Sequence, residues 1–96
     1  MIGIVDYGLG NVLAFATLYH RLGIPARIVR STEELQGATK LILPGVGAFD
    51  HAISQFDASG MRGEVTRLVR EEGMPVLGVC VGMQMLADSS EEGQQR

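Results

Sequence analysis

Four short apolar runs, each closed by a turn and separated from the next by a helical pattern, limit what this chain can fold into. Ile2 to Asp6, Ala26 to Val29, Lys40 to Leu43 and Val76 to Val79 are aliphatic, partly β-branched and too short for helices, which predicts strands. After the first, Tyr7-Gly8-Leu9-Gly10-Asn11 is a turn cluster whose Asn11 can cap a helix. Val12, Phe15, Ala16, Tyr19 and Leu22 then recur at the helical period, and Gly23 with Pro25 ends the segment. Ser31-Thr32-Glu33-Glu34 opens a short helical turn, and Lys40 to Leu43 stops at Pro44-Gly45-Val46-Gly47. Ala48 to Phe56 carries a weaker helical pattern that Asp57-Ala58-Ser59-Gly60 is expected to interrupt. Met61, Val65, Leu68 and Val69 share one face of the next helix, with Arg62, Glu64, Arg67, Arg70 and Glu71 on the other, before Gly73 and Pro75 close it. Strand and helix alternate four times. That alternation predicts an α/β domain with a mainly parallel sheet covered on both faces.

Ninety-six residues at 46% hydrophobic content predict one small domain, near the lower end of what buries a sufficient core alone. The formal net charge of -3 and the scattered basic residues offer no cationic stripe for a phosphate backbone, so nucleic acid is not an expected partner. The single cysteine cannot form an internal disulfide, which suits a reducing compartment. The opening Met1-Ile2-Gly3-Ile4-Val5-Asp6 has no basic n-region, and no apolar run approaches spanning length. A cytoplasmic location without membrane contact is expected.

In open parallel sheets the ligand sits beyond the carboxyl ends of the strands. Three special turns fall there: Asp6-Tyr7-Gly8, Pro44-Gly45-Val46-Gly47 and Gly78-Val79-Cys80. In the last, the apolar strand runs into the only cysteine, bracketed by Gly78 and Gly82, and Met83 to Ala87 is helix-forming. Strand, sharp turn and helix form a nucleophile elbow, which exposes the reactive atom between small neighbours. A helix N-terminus there favours the thiolate, the attacking species. Cys80 is the candidate nucleophile, against the alternative of a buried structural cysteine. Gly45-Val46-Gly47 leaves backbone N–H groups free to turn toward a developing oxyanion, although an ordinary strand-end turn would read the same way. Gly8-Leu9-Gly10 begins like a dinucleotide fingerprint, but Leu13 stands at the third glycine and a tight turn with an Asn cap reads better. His20, late in the first helix, and His51, beyond the glycine turn, both read as surface residues. Ser89-Ser90-Glu91-Glu92-Gly93 reads as an acidic loop or as a carboxylate offered to a substrate ammonium group.

Taken with their order and spacing, these segments resemble the class I, triad-type glutamine amidotransferases. The Asp6-Tyr7-Gly8-Leu9-Gly10-Asn11 opening and the Leu43-Pro44-Gly45-Val46-Gly47-Ala48-Phe49 turn are most similar to the branch formed by the glutaminase subunits of imidazole glycerol phosphate synthase. So are Gly60 and the stretch from Pro75 through Cys80 to Leu86, continuing into Ser90-Glu91-Glu92-Gly93. The resemblance implies a flavodoxin-like fold, of which about half is present here, and a domain segment at 1–93 followed by an unplaced tail at 94–96. It implies that Cys80 attacks the side-chain amide of L-glutamine to give a glutamyl thioester and ammonia. The backbone at Gly45, Val46, Gly47 and Val81 would hold the oxyanion, and Gln84 and Glu92 would contact the substrate. Asn11 would lie in the interface with a cyclase, a β/α barrel to which ammonia passes in histidine biosynthesis. No cofactor or metal is implied, since a thiol, a base and an oxyanion hole suffice.

The family's His and Glu triad members have no counterpart among these 96 residues. The chain by itself is therefore expected to turn over poorly, because losing one member of such a unit costs on the order of several thousand-fold or more. It is also expected to leave apolar sheet and helix surface uncovered. Two alternatives remain at this point: a non-catalytic interaction module, and a glutaminase serving another synthase, such as those for anthranilate or pyridoxal phosphate.

Overall fold

The computed structural model describes residues 1–45 and 49–79. They form four strands, β1 (Ile2–Val5), β2 (Ala26–Val29), β3 (Lys40–Leu43) and β4 (Val76–Gly78), with helices α1 (Val12–Arg21), α2 (Phe49–Ala58) and α3 (Arg62–Glu72). A single 3-10 turn, Glu33–Leu35, lies between β2 and β3. All described pairings are parallel, in the order β2-β1-β3-β4. This is the parallel sheet that the alternation predicted, in the partial flavodoxin-like form that the resemblance implied. β1 aligns Ile4 with Ile28 on one side and with Ile42 on the other, and β3 aligns Leu43 with Gly78.

The order fixes which helices cover which face. Crossovers between parallel strands are right-handed, so stepping outward from β1 to β2 places α1 on one face. Stepping back across β1 to β3 and on to β4 places the 3-10 turn, α2 and α3 on the other. Side chains alternate accordingly along each strand. Val5, Val29, Leu41 and Leu43 join Leu35, Ala52, Phe56, Met61, Val65 and Leu68 in one buried cluster. Ile4 and Ile42, of opposite parity, are buried on the α1 side.

Helix ends follow their local chemistry. Asn11 caps α1 as predicted, its Oδ1 accepting the Ala14 N–H at 3.2 Å. Gly73 ends α3 in the left-handed conformation, φ 66°, with its N–H donating to Leu68 O. On the outer face of α3, Arg67 donates to Glu64 at 2.7 Å and to Glu72 at 2.8 Å, and that hydrogen bond holds the Glu64 carboxyl below its ordinary range. Exposed pairs of this kind contribute little to stability.

Two expectations need correction. Asp57 and Ala58 do not interrupt α2, which runs through them; the buried Phe56 anchors its last turn, and Ser59 Oγ donates to Phe56 O at 2.6 Å where the helix stops. Leu22 does not belong to the inward stripe of α1: it is the C-cap residue and is 60% exposed. The rest of that stripe, Val12, Phe15, Ala16 and Tyr19, is half-buried, and no residue of α1 is fully buried. Smaller shifts are that β1 stops at Val5 and β4 at Gly78. Apolar surface remains open as expected, with Leu77 56% exposed beside a groove lined by Ile2, Tyr19, Ile42 and Pro75.

Candidate active site

Because β1, β3 and β4 are parallel neighbours, their carboxyl ends emerge side by side. Between β1 and β3 the strand order reverses direction, the position where open sheets of this class place their ligands. The Leu43–Gly78 alignment and the Val79 N–H to Leu43 O bond of 3.0 Å carry the β3–β4 ladder one residue past β4. Val79 therefore sits beside the Leu43–Pro44 end of β3. Cys80 is the next residue in sequence.

Cys80, Val81, Gln84 and Glu92 lie outside the described residues, as do Val46 and Gly47. Of the predicted site, Gly45 and Asn11 are described. Gly45 is buried at the end of β3, and Asn11 starts α1 at the mouth of a shallow groove that also includes Leu13, Thr17 and Arg21. Both histidines are exposed as expected: His20 in the last turn of α1, at the end of the sheet away from the strand carboxyl ends, and His51 near the start of α2.

The β1–α1 loop is more than a tight turn. Asp6 Oδ1 accepts the Gly8 N–H at 3.1 Å, and Asp6 Oδ2 pairs with Arg30 Nε at 3.1 Å, which pins the loop to the end of β2. Gly10 has φ 94°, and a Cβ there would stand 2.8 Å from Pro44 Cβ, 3.0 Å from Pro44 C and 3.1 Å from Gly45 N. Only glycine lets the loop lie this close to the strand end. Tyr7 reaches across the same junction, its hydroxyl donating to Pro44 O at 2.6 Å while its ring packs on Phe56 with centroids 5.3 Å apart.

Sequence reasoning placed Tyr7 in the turn without giving its side chain a role, and so missed this tie. The available signal was a tyrosine set in a glycine turn instead of in a helical stripe, since a buried tyrosine hydroxyl usually finds a partner. Tyr7 is 5% exposed, and burial raises its phenol from the ordinary 10.0 to about 12. Below pH 10 the phenol is neutral in both folded and unfolded chain. Between about pH 10 and 12 the unfolded chain loses the proton and the folded one keeps it, so stability falls as pH rises through that window. The expected loss is on the order of 2 kcal/mol, and urea unfolding followed from about pH 9 to 12 reads it. Tyr7→Phe should flatten that part of the profile.

Among the described residues no group of three or more His, Cys, Asp or Glu side chains could hold a metal, and no helix is long and apolar enough to cross a membrane. The family profile for class-I glutamine amidotransferases matches residues 3–93. The chain belongs to that family. Among class-I relatives, a subunit named imidazole glycerol phosphate synthase subunit HisH from Bdellovibrio bacteriovorus is 63% identical over 97% of this chain and 46% of its own length. The HisH subunit of Leptospira interrogans is 52% identical over the same shares. A crystal structure of a glutamine amidotransferase superposes with a TM-score of 0.70 at 33% identity, covering 84% of this chain and 42% of that one. The amidotransferase chain described here thus spans about half the length of the curated relatives it matches.

Proposed function

We propose that this chain is the amino-terminal part of the glutaminase subunit of an imidazole glycerol phosphate synthase. It would release ammonia from L-glutamine for a cyclase partner of β/α-barrel form in histidine biosynthesis. The observation that supports this most is the adjacency of the β3 and β4 carboxyl ends, where Val79 bonds to Leu43 and the sequence runs on into Cys80. The chain leaving β4 at Val79 does so beside the end of β3, where the Pro44-Gly45 peptide offers the N–H partner that acyl transfer needs. The similarity to HisH subunits supports the choice of synthase over those for anthranilate or pyridoxal phosphate.

In this reading Cys80 Sγ attacks the carboxamide carbon, and backbone N–H groups of Gly45, Val46, Gly47 and Val81 receive the oxyanion. Collapse of the tetrahedral intermediate expels ammonia, with the thiol proton passing through a base to the leaving nitrogen, and water then releases glutamate from the thioester. Gln84 and Glu92 hold the glutamine, and Asn11 stands on the side facing the cyclase. The base would come from residues beyond these 96.

A chloroketone analogue of glutamine tests the assignment in the full polypeptide that the gene encodes. Peptide mass spectrometry should find the adduct on Cys80, excess glutamine should slow its formation, and Cys80→Ser should prevent it. An adduct elsewhere, or one that glutamine does not slow, would overturn the proposal. Co-purification with a barrel cyclase tests the partner.

A further inference from the structure

We propose that Tyr7 is a positioning residue for the turn that begins at Pro44, acting through its hydroxyl on the Pro44 carbonyl. This rests on the reading of that turn as the oxyanion-binding element. A glycine-rich turn rotates freely unless something holds it, and an oxyanion donor is effective only when it already points at the developing charge. The peptide unit is planar, with C=O and N–H on opposite sides, so fixing the Pro44 oxygen also fixes where the Gly45 N–H points.

Three observations describe the grip. The Tyr7 hydroxyl lies 2.6 Å from Pro44 O in a buried setting. Its ring is buried, two residues past the end of β1, and packs on the fully buried Phe56 of α2. On the same peptide, Gly10 stands so close that an added Cβ would meet both Pro44 and Gly45 N. The oxygen, carbon and nitrogen of this peptide are thus all met by one loop, which Asp6 anchors through Gly8 and Arg30. A hydroxyl that only satisfied a buried carbonyl would need none of this second contact.

The test separates orientation from folding. In the full polypeptide that the gene encodes, the saturating rate of Cys80 alkylation by the chloroketone glutamine analogue should fall about tenfold in Tyr7→Phe, the effect of one misdirected hydrogen-bond donor. The analogue concentration at half saturation should not change. Alkylation by iodoacetamide, which develops no oxyanion, should proceed at the unsubstituted rate. The Pro44 carbonyl carbon resonance should move upfield as its donor is lost. Should Tyr7→Phe fail to fold, Phe56→Leu, which loosens the ring while keeping the hydroxyl, should give the same split in weaker form. A saturating rate within about twofold of the unsubstituted protein overturns the proposal. So does a parallel fall with both reagents, or an unmoved Pro44 carbonyl resonance. If the unsubstituted protein takes no chloroketone at Cys80, the glutaminase reading itself fails and this proposal falls with it.

Discussion

Gly10→Ala is expected to lower the unfolding free energy by about 2–5 kcal/mol, the sum of two separable costs. The first is conformational: an L side chain at φ 94° is strained wherever it sits. The second is steric, because the new methyl would lie 2.8 Å from Pro44 Cβ and 3.0 Å from a backbone carbon, neither of which is the loose end of a side chain. Gly23→Ala supplies the control, since φ there is 73° and nothing lies within 4 Å. It should cost only the conformational part, about 1–2 kcal/mol. Urea denaturation of the two variants, compared by midpoint at constant slope, reads the difference. Equal losses would mean that the β1–α1 loop yields to the methyl and does not press on Pro44. With the larger loss at Gly10, chloroketone labelling of Cys80 should fall as well, because the Pro44-Gly45 peptide must move to admit the methyl.

Phe56→Ala is the second large effect, expected at about 3–5 kcal/mol. Phe56 is 1% exposed at the centre of the cluster formed by Val5, Val29, Leu43, Met61 and Val65, and it carries the ring on which Tyr7 rests. Its removal leaves a cavity under β1 and β3 together, which the half-buried Ile53 and Phe49 of α2, packed against the same cluster, can fill only in part. Domains of this size have only about 5–15 kcal/mol of net stability, so the variant should lose a large share of it. Thermal unfolding should show a fall of about 4–8 °C per kcal/mol. A fall of only a few degrees would mean that the cavity closes around the deletion.

The fold was legible because its signals are local. Val65, Leu68 and Val69 recur at the helical period, Gly23 and Gly73 stop the helices, and the short aliphatic runs have no length for anything but strands. The end of α2 was not legible: Asp57 and Ala58 lie inside the helix because Phe56 is buried beneath sheet residues more than ten positions away in sequence, and Arg62 pairs with Asp57 from the next helix at 3.1 Å. Leu22 misled for a related reason. It keeps the helical period but falls where Gly23 already turns the chain, so its side chain leaves the sheet. At the rim, the convergence of three turns followed from the alternation alone. The Tyr7–Pro44 bond did not, because it joins residues 37 apart whose meeting depends on β1 and β3 being neighbours.

That β1 holds the middle of the sheet has a consequence for how the chain is made. Of the four described strands β1 is made before the others, β2 and then β3 pair with its two edges, and β4 pairs with β3. Each of these described strands emerges after the one it pairs with, so this part of the sheet can grow outward during synthesis. The described rim is laid down in the same sequence: the loop carrying Tyr7 and Gly10 comes first, the Pro44 turn is made next, and the strand leading to Cys80 follows both.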